Sequence, residues 1–384
     1  MKKIYSTADI VIIGAGSAGC ILMSELSKNF SVIGLEAGSN FTTDPAITAV
    51  GSPAQQLQES SQYKYFWQGF QQTQPMAGLN GRVGDWTTGM LLGGDSSVND
   101  LYYGRGSNAV YSQWAGIAGR PRWNLDNILQ TFNDLENYQG LTDIPNSRGT
   151  NGLVSVLQTP NVSQMARDVV LQALGLATPE ISVTIDYNDP SSESCIDARA
   201  QWFVDPTGST RVSSATSFLN SSVMTPKGYG VGNHKLKIIF KAVVTKIIFD
   251  NIKNKNKNKH GNKKKKSKAR KVEYIKDGQL HQVTARKAVI ITAGFNSSKI
   301  LQLSGIGSAL TLANAGIKPV FINENVGKHL KNHPSISITL LADPNDIGTV
   351  SGAPYAYYIT NAYLPAIGGS SNDPRMVQLL FEIF

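Results

Sequence analysis

Cysteine is almost missing from this chain: only Cys20 and Cys195 occur among 384 residues. Two distant thiols cannot form a disulfide framework or a cysteine-based metal cluster, and they fit a reducing compartment. Cys20 reads as a small buried apolar residue. Long apolar runs are missing too. The longest are of strand length, so no transmembrane helix is expected. The start, Met1-Lys2-Lys3-Ile4-Tyr5-Ser6, lacks the apolar core of a secretory leader, so an intracellular protein without a membrane partner is expected. Histidine is scarce, with only His234, His260, His281, His329 and His333.

Acid is absent from one stretch. Residues 251–271 read NIKNKNKNKHGNKKKKSKARK, with ten lysines, one arginine and no Asp or Glu. The formal charge of the whole chain is +9, yet outside this tract 25 basic side chains face 27 acidic ones. The basic character therefore belongs to a low-complexity segment and not to the body. A like-charge block repels itself and stays solvated. It lies between strand patterns at Lys237–Phe249 and Lys271–Ile275, which predicts an expanded hairpin loop. No aromatic interleaves the lysines, so no nucleic-acid partner is expected.

What is present is concentrated near the start. The apolar run Ala8–Ile13 reads as a strand and leads into Gly14-Ala15-Gly16-Ser17-Ala18-Gly19. Cys20–Lys28 has helical periodicity, and a second strand, Ser31–Leu35, ends on Glu36. This is a βαβ dinucleotide fingerprint. Gly14 would make the tight turn, Gly16 would let the backbone approach a pyrophosphate, and Gly19 would let the helix pack on the strand. The helix N-terminus would offer free N–H groups and a positive dipole end to the phosphates. Glu36, 22 residues after Gly14, can accept hydrogen bonds from both ribose hydroxyls, which argues against a 2′-phosphate and so against NADP.

A nucleotide fold does not name a reaction. Residues 89–106, GMLLGGDSSVNDLYYGRG, narrow it. They resemble the first signature of the glucose–methanol–choline (GMC) oxidoreductases, through Gly89, Leu92, Gly93, Gly94, Ser96, Asn99, Leu101, Tyr103, Arg105 and Gly106. Further likenesses follow in order: the aromatic stretch Tyr63–Pro75; Trp123–Leu129 with its continuation through Phe132 and Leu135; Gly208, Arg211 and Ser213; Val244; Ala288–Gly294 with Ser297–Gly307; and Asn325–Pro334. The resemblance implies an α/β fold, a Rossmann-type FAD-binding domain with an incomplete α+β substrate-domain sheet. It implies FAD as cofactor, held by Gly14, Gly16, Ser17, Ala18, Gly19, Glu36, Ala37, Gly89, Gly93, Gly94, Asn99, Leu101, Val244, Ala293 and Gly294. The FAD domain is expected at 1–160 and 225–335, and the substrate domain at 161–224 and 336–384.

Four positions depart from the family pattern: Met90 for Arg, Asp95 for a small residue, Ser298 for Pro and Asn332 for Asp. An anion at Asp95 beside a pyrophosphate or reduced flavin is unfavourable unless it turns to solvent or a cation. Alcohol oxidation also needs a base for the hydroxyl proton and donors for the developing alkoxide. In the family a His in an H-x-x-G-T segment supplies the base. None of the five histidines here has that setting, so no catalytic residue and no metal ligand is assigned. The apolar stretch Met376–Phe384 falls, by the resemblance, inside the substrate sheet. The expectation is a truncated, inactive FAD-binding protein. The alternatives are one half of a split oxidase completed by a separately encoded C-terminal fragment, or a structural protein of a virion. The Lys/Asn bias suits the AT-rich genome of a large DNA virus.

Overall fold

The computed structural model describes residues 6–50, 64–71, 80–82, 85–106, 108–158, 182–183, 185–189, 195–197, 201–252, 266–330, 361–365 and 376–379. It is a mixed α/β structure with two compact units. The first draws on residues 1–48, 52–99 and 213–336, the second on 49–51, 100–212 and 337–384. The unit boundaries thus fall at Asn99 and Val212, whereas the sequence places the changes near 160 and 224.

The first unit is built on six strands. From one edge these are Leu236–Ile239, Val32–Leu35, Thr7–Ile13, Gln279–Ile291, Lys266–Lys276 and Val243–Ile252. The first four pair in parallel and the last two antiparallel. Gln279–Ile291 serves both halves. Its first residues, 279–284, pair with 276–271, and 284–291 pair with 7–13. Apolar runs without alternation suit parallel strands covered on both faces. Accordingly all of Val32–Leu35 is buried, as is Ile10–Ile13. Val11, Ile13, Ile33 and Leu35 join Ala242, Ile247, Val272, Tyr274, Val283 and Ile300 in one core cluster. The helix Ser17–Ser27 packs close to Gly34, where an added Cβ would lie 2.6 Å from the Met23 sulfur.

The run Lys237–Val244, read as one strand, is divided. It breaks at Lys241, whose φ is +55°, and resumes at Val243 on the far side of the sheet. The break runs past the end of Val32–Leu35: the Glu36 N–H donates to the Ile239 carbonyl and the Ala242 N–H to the Glu36 carbonyl.

The hairpin around the lysine tract is present, with one correction. Val243–Ile252 pairs with Lys266–Lys276, out to Asn251↔Ser267 and Ile252↔Lys266. The ends of the tract are therefore ladder residues, and Ala269 packs on the core. Residues 253–265 lie outside the described residues. Removing 251–271 would strip paired strand, but replacing 253–265 with Asn-Gly joins two residues that already face each other, through a turn suited to a two-residue hairpin. Loop closure depends weakly on length. We expect that replacement to leave the melting temperature within a few degrees in a thermal scan, and deletion of 251–271 to lower it clearly.

The second unit contains a three-stranded sheet of Glu136–Gln139, Val154–Gln158 and Gln201–Trp202. A four-stranded sheet runs in the order Met376–Leu379, Asn361–Pro365, Cys195–Asp197, Ser182–Val183. Cys195 thus sits at the start of a strand. The helix expected after Trp123 is Leu125–Leu135. Beside the first of these sheets lies a buried charge network. The Glu136 carboxylate accepts from Arg105, from Arg148 Nε at 2.9 Å, from the Tyr103 hydroxyl at 2.9 Å and from the Gly149 N–H at 2.8 Å. Arg148 also reaches Asp186 at 2.7 Å and Gln201 at 3.0 Å. Two cations and two anions balance, so neither sign is left uncompensated in the interior. This network binds residues 103–148 to 186–201, which is why 100–158 belongs to the second unit.

Candidate functional site

The candidate site lies where the parallel strands end at Ile13, Leu35 and Ile291, the usual ligand edge of an open α/β sheet. Four loops converge there, all within the first unit. Gly14 adopts φ +93°, and a Cβ on it would lie 2.7 Å from the Thr292 carbonyl oxygen. A Cβ on Gly19 would lie 2.0 Å from the Gly14 carbonyl oxygen, so this glycine sets the seat of the helix on the turn. Gly16 is different. Its φ is −78°, and a Cβ there would meet nothing nearer than Thr292 O at 3.8 Å and Gly94 Cα at 3.9 Å. Nothing in the protein requires glycine at 16.

The helix starts at Ser17, and Cys20 makes the first helical hydrogen bond, to the Gly16 carbonyl. The N–H groups of Ser17, Ala18 and Gly19 stand at the open end of the helix, with Ser17 and Ala18 exposed. The second loop, Gly89–Gly94, lies against this turn. Gly93 N–H donates to the Ala15 carbonyl at 2.8 Å, and a Cβ on Gly94 would lie 2.8 Å from Gly16 Cα. Gly93 and Gly94 have φ of +93° and +53°. A Cβ on Gly89 would lie 2.7 Å from the Gly94 carbonyl carbon. Asn99 closes the following turn, its N–H on the Asp95 carbonyl at 2.9 Å.

Asp95 is exposed to solvent. Its carboxylate turns back onto the strand Asp85–Gly89, accepting the Gly89 N–H at 2.6 Å and the Thr88 hydroxyl at 3.0 Å. The side chain thereby closes the loop it begins.

Glu36 is buried, and both its oxygens are engaged. One accepts the Ala15 N–H at 2.8 Å and the other the Gly38 N–H at 2.8 Å. The carboxylate so ties the first loop to the third, Glu36–Asn40. No cation ion-pairs with it among the described residues. Burial pushes its pKa up to about 7, against the pull of the N–H groups of Gly38, Ala15 and Ala37. A raised carboxyl stabilises the fold fully below the ordinary carboxylate range, and that contribution is lost as pH rises through about 7. Ala37 precedes Gly38, where a Cβ would sit 1.9 Å from the Met90 carbonyl oxygen. Val244 lies two residues beyond the Ala242–Glu36 hydrogen bond, at the start of its strand. The fourth loop is Thr292–Gly294. Ala293 backs Gly14, and Gly294 has φ +53° with open space at its Cβ position.

Fourteen of the fifteen residues expected from the sequence to hold the cofactor thus lie in the first unit, on or next to these loops. Leu101 belongs to the second unit, at φ +71°, its carbonyl accepting the Phe203 N–H at 2.8 Å. Two contributors escape the sequence. The Thr292 hydroxyl donates to the Gly14 carbonyl at 2.7 Å, pinning the turn, and nothing in the sequence marks it. Gly38 could have been noticed as the small residue after Glu36-Ala37. Two of the described histidines are engaged elsewhere. His234 bonds Ser27 at 2.8 Å at the other end of the helix, His281 stacks on Tyr274, and His329 is exposed. His260 and His333 lie outside the described residues, as does Asn332.

A model of the GMC oxidoreductase family matches residues 8–335. The chain belongs to that family. This GMC protein is 30% identical over 340 residues to dehydrogenase str4 of Strobilurus tenacellus, covering 85% of this chain and 50% of that one. It is 32% identical over 342 residues to an alcohol dehydrogenase (acceptor) of Pseudomonas putida, covering 88% and 55%. Among solved structures it resembles pyridoxine 4-oxidase from Mesorbium loti, with TM-score 0.64, 25% identity and coverage of 82% and 55%. An FAD-dependent oxidoreductase from Chaetomium thermophilum has the same fold, with TM-score 0.65, 24% identity and coverage of 82% and 50%. The chain spans about half the length of the curated relatives it matches. No helix among the described residues is long and apolar enough to cross a membrane.

The residues of the GMC site fit FAD. An open space at Gly16, first-turn N–H groups for a pyrophosphate and a carboxylate within reach of a ribose form a dinucleotide cradle. The loops at 14–19, 36–40, 89–95 and 292–298 carry no Lys or Arg, so backbone dipoles would meet the phosphates.

Proposed function

We propose that this chain is the FAD-holding part of a GMC alcohol oxidoreductase and does not oxidise alcohols by itself. The observation that carries the reading is Gly16, a glycine that neither backbone nor packing demands, at the centre of four converging loops. Bound FAD would supply a hydride acceptor, taking hydrogen from the carbinol carbon while the hydroxyl proton leaves to a base. The chain's own residues bind and orient. Ser17, Ala18 and Gly19 N–H groups would hold the pyrophosphate, Glu36 would receive the ribose hydroxyls, and Val244 and the Gly89–Gly94 turn would help to hold the cofactor. No side chain of these loops can take a proton from an alcohol at a useful rate; Glu36 is buried under its own N–H donors.

Titration of the purified chain with FAD, NAD and NADP, followed by fluorescence quenching, tests this. We expect FAD to bind most tightly, and tighter binding of either nicotinamide dinucleotide refutes it.

One observation favours completion by further chain. On the side of Ala285–Ile291 away from Thr7–Ile13, no strand pairs with it among the described residues. Its Ala288–Ile291 segment is only partly buried, although it reads as interior parallel strand. A C-terminal segment, contiguous or separately encoded, would add a strand there and supply a base.

A further inference from the structure

Glu36 presents a problem for a carboxylate awaiting a ribose. It is 5% exposed and lacks a cationic partner among the described residues, and its oxygens already accept Ala15 and Gly38 N–H groups. Those N–H groups favour the anion, but at 5% exposure with no cation beside it burial outweighs them, so the carboxyl keeps its proton up to near neutrality. We infer that FAD uptake by this chain is coupled to proton release from Glu36: the empty site holds Glu36 as the neutral acid, and the bound ribose fixes it as the carboxylate. This rests on the reading of the site as an FAD site.

The balance is simple. The carboxyl O–H bond breaks and the proton goes to the buffer. Two ribose hydroxyls then donate to the carboxylate, stabilising the charged form that burial alone disfavours. Without ligand the proton is held up to about pH 7. The same carboxylate joins the Gly14–Gly19 turn to the Glu36–Asn40 loop, so its charge also sets how firmly the two loops are held.

The surrounding groups do not supply an alternative proton. On the helix side Cys20 is fully buried, its thiol donates to the Ala15 carbonyl at 3.1 Å, and burial with the nearby Glu36 pushes its pKa far up, so it does not titrate near neutrality. The loop Ala37–Asn40 has no titratable side chain. On the crossing segment, Lys241 is exposed and meets this region through its N–H on the Gly38 carbonyl. On the Gly89–Gly94 side Asp95 is the only charge, and its carboxylate is turned to Thr88 and Gly89. His234 is held on Ser27 at the far end of the helix and His281 is stacked on Tyr274.

The test is FAD binding to the full chain by calorimetry at about pH 6 in two buffers of different ionisation enthalpy, with dissociation constants measured from about pH 5.5 to 8.5. We expect nearly one proton released per FAD at pH 6. Affinity should rise up to about tenfold per pH unit and flatten above about pH 7. Glu36→Gln should bind more weakly, with no such slope and no proton release. FAD binding with a flat pH profile and no proton release overturns the coupling and leaves the FAD assignment standing. A chain that binds no FAD at any pH overturns both. A proton release that persists in Glu36→Gln assigns the proton to another group and overturns the inference.

Discussion

Gly16→Val is expected to abolish FAD uptake while the protein stays folded. The two halves of that result come from different observations. Position 16 has φ −78°, which any residue adopts, and a Cβ there finds its nearest neighbours at 3.8 and 3.9 Å. The empty protein therefore loses little. Glycine is a better helix N-cap than valine, and that difference costs about 1 kcal/mol or less. The branched side chain instead fills the space in front of the Ser17–Gly19 N–H groups, where a pyrophosphate must come within hydrogen-bond distance. Loss of those bonds should weaken FAD by about 100-fold or more, equivalent to about 2.7 kcal/mol. Gly19→Ala serves as contrast. Its Cβ would collide with the Gly14 carbonyl at 2.0 Å, so the fold itself should suffer. Flavin content after purification and a thermal scan of the empty chains separate the two cases. Unchanged flavin content in Gly16→Val removes the case for a pyrophosphate at this turn.

The contrast between Gly16 and Gly19 also marks what a sequence can carry. Strand, turn, helix and strand over Ala8–Leu35 are readable because periodicity changes at the glycines. The hairpin at Val243–Lys276 is readable because two apolar runs flank a tract that cannot enter a core. Its register is not, and two strand ends hide inside the lysine tract at Ile252 and Lys266. The break at Lys241 carries no Gly, Pro or Asn, so an apolar run is cut without a turn signal. The early end of the first unit at Asn99 was hidden for another reason. The residues that draw 100–158 into the second unit are Arg105, Glu136 and Arg148, charged side chains that sequence reading sends to the surface. Only their mutual pairing in the interior makes them core. Asp95 shows the same limit at the site: a carboxylate that looks misplaced beside a flavin instead accepts the Gly89 N–H and holds the loop.

The chain alone, loaded with FAD, is expected not to be reduced by alcohols at enzyme-like rates. Removing hydride from an alcohol requires that its hydroxyl proton leave, and a placed general base contributes about 10²–10⁴ in rate. Preorganised donors to the developing alkoxide add about 10²–10³ more. At the candidate site the titratable side chains are Glu36 and Asp95. The first is buried with both oxygens engaged, and the second is held by Thr88 and Gly89. His234 lies at the far end of the helix on Ser27, and His281 lies flat against Tyr274. The measurement is anaerobic mixing of the flavin-loaded chain with primary, benzylic and sugar alcohols, followed through bleaching of the flavin's visible band. Rapid bleaching by this chain alone would show that it carries its own base, and the proposal of a binding part would fail. Dithionite should bleach the same sample at once, which establishes that the flavin is bound and reducible. Bleaching by alcohol only after addition of a C-terminal fragment of a longer GMC relative would support completion at the open edge of Ala285–Ile291.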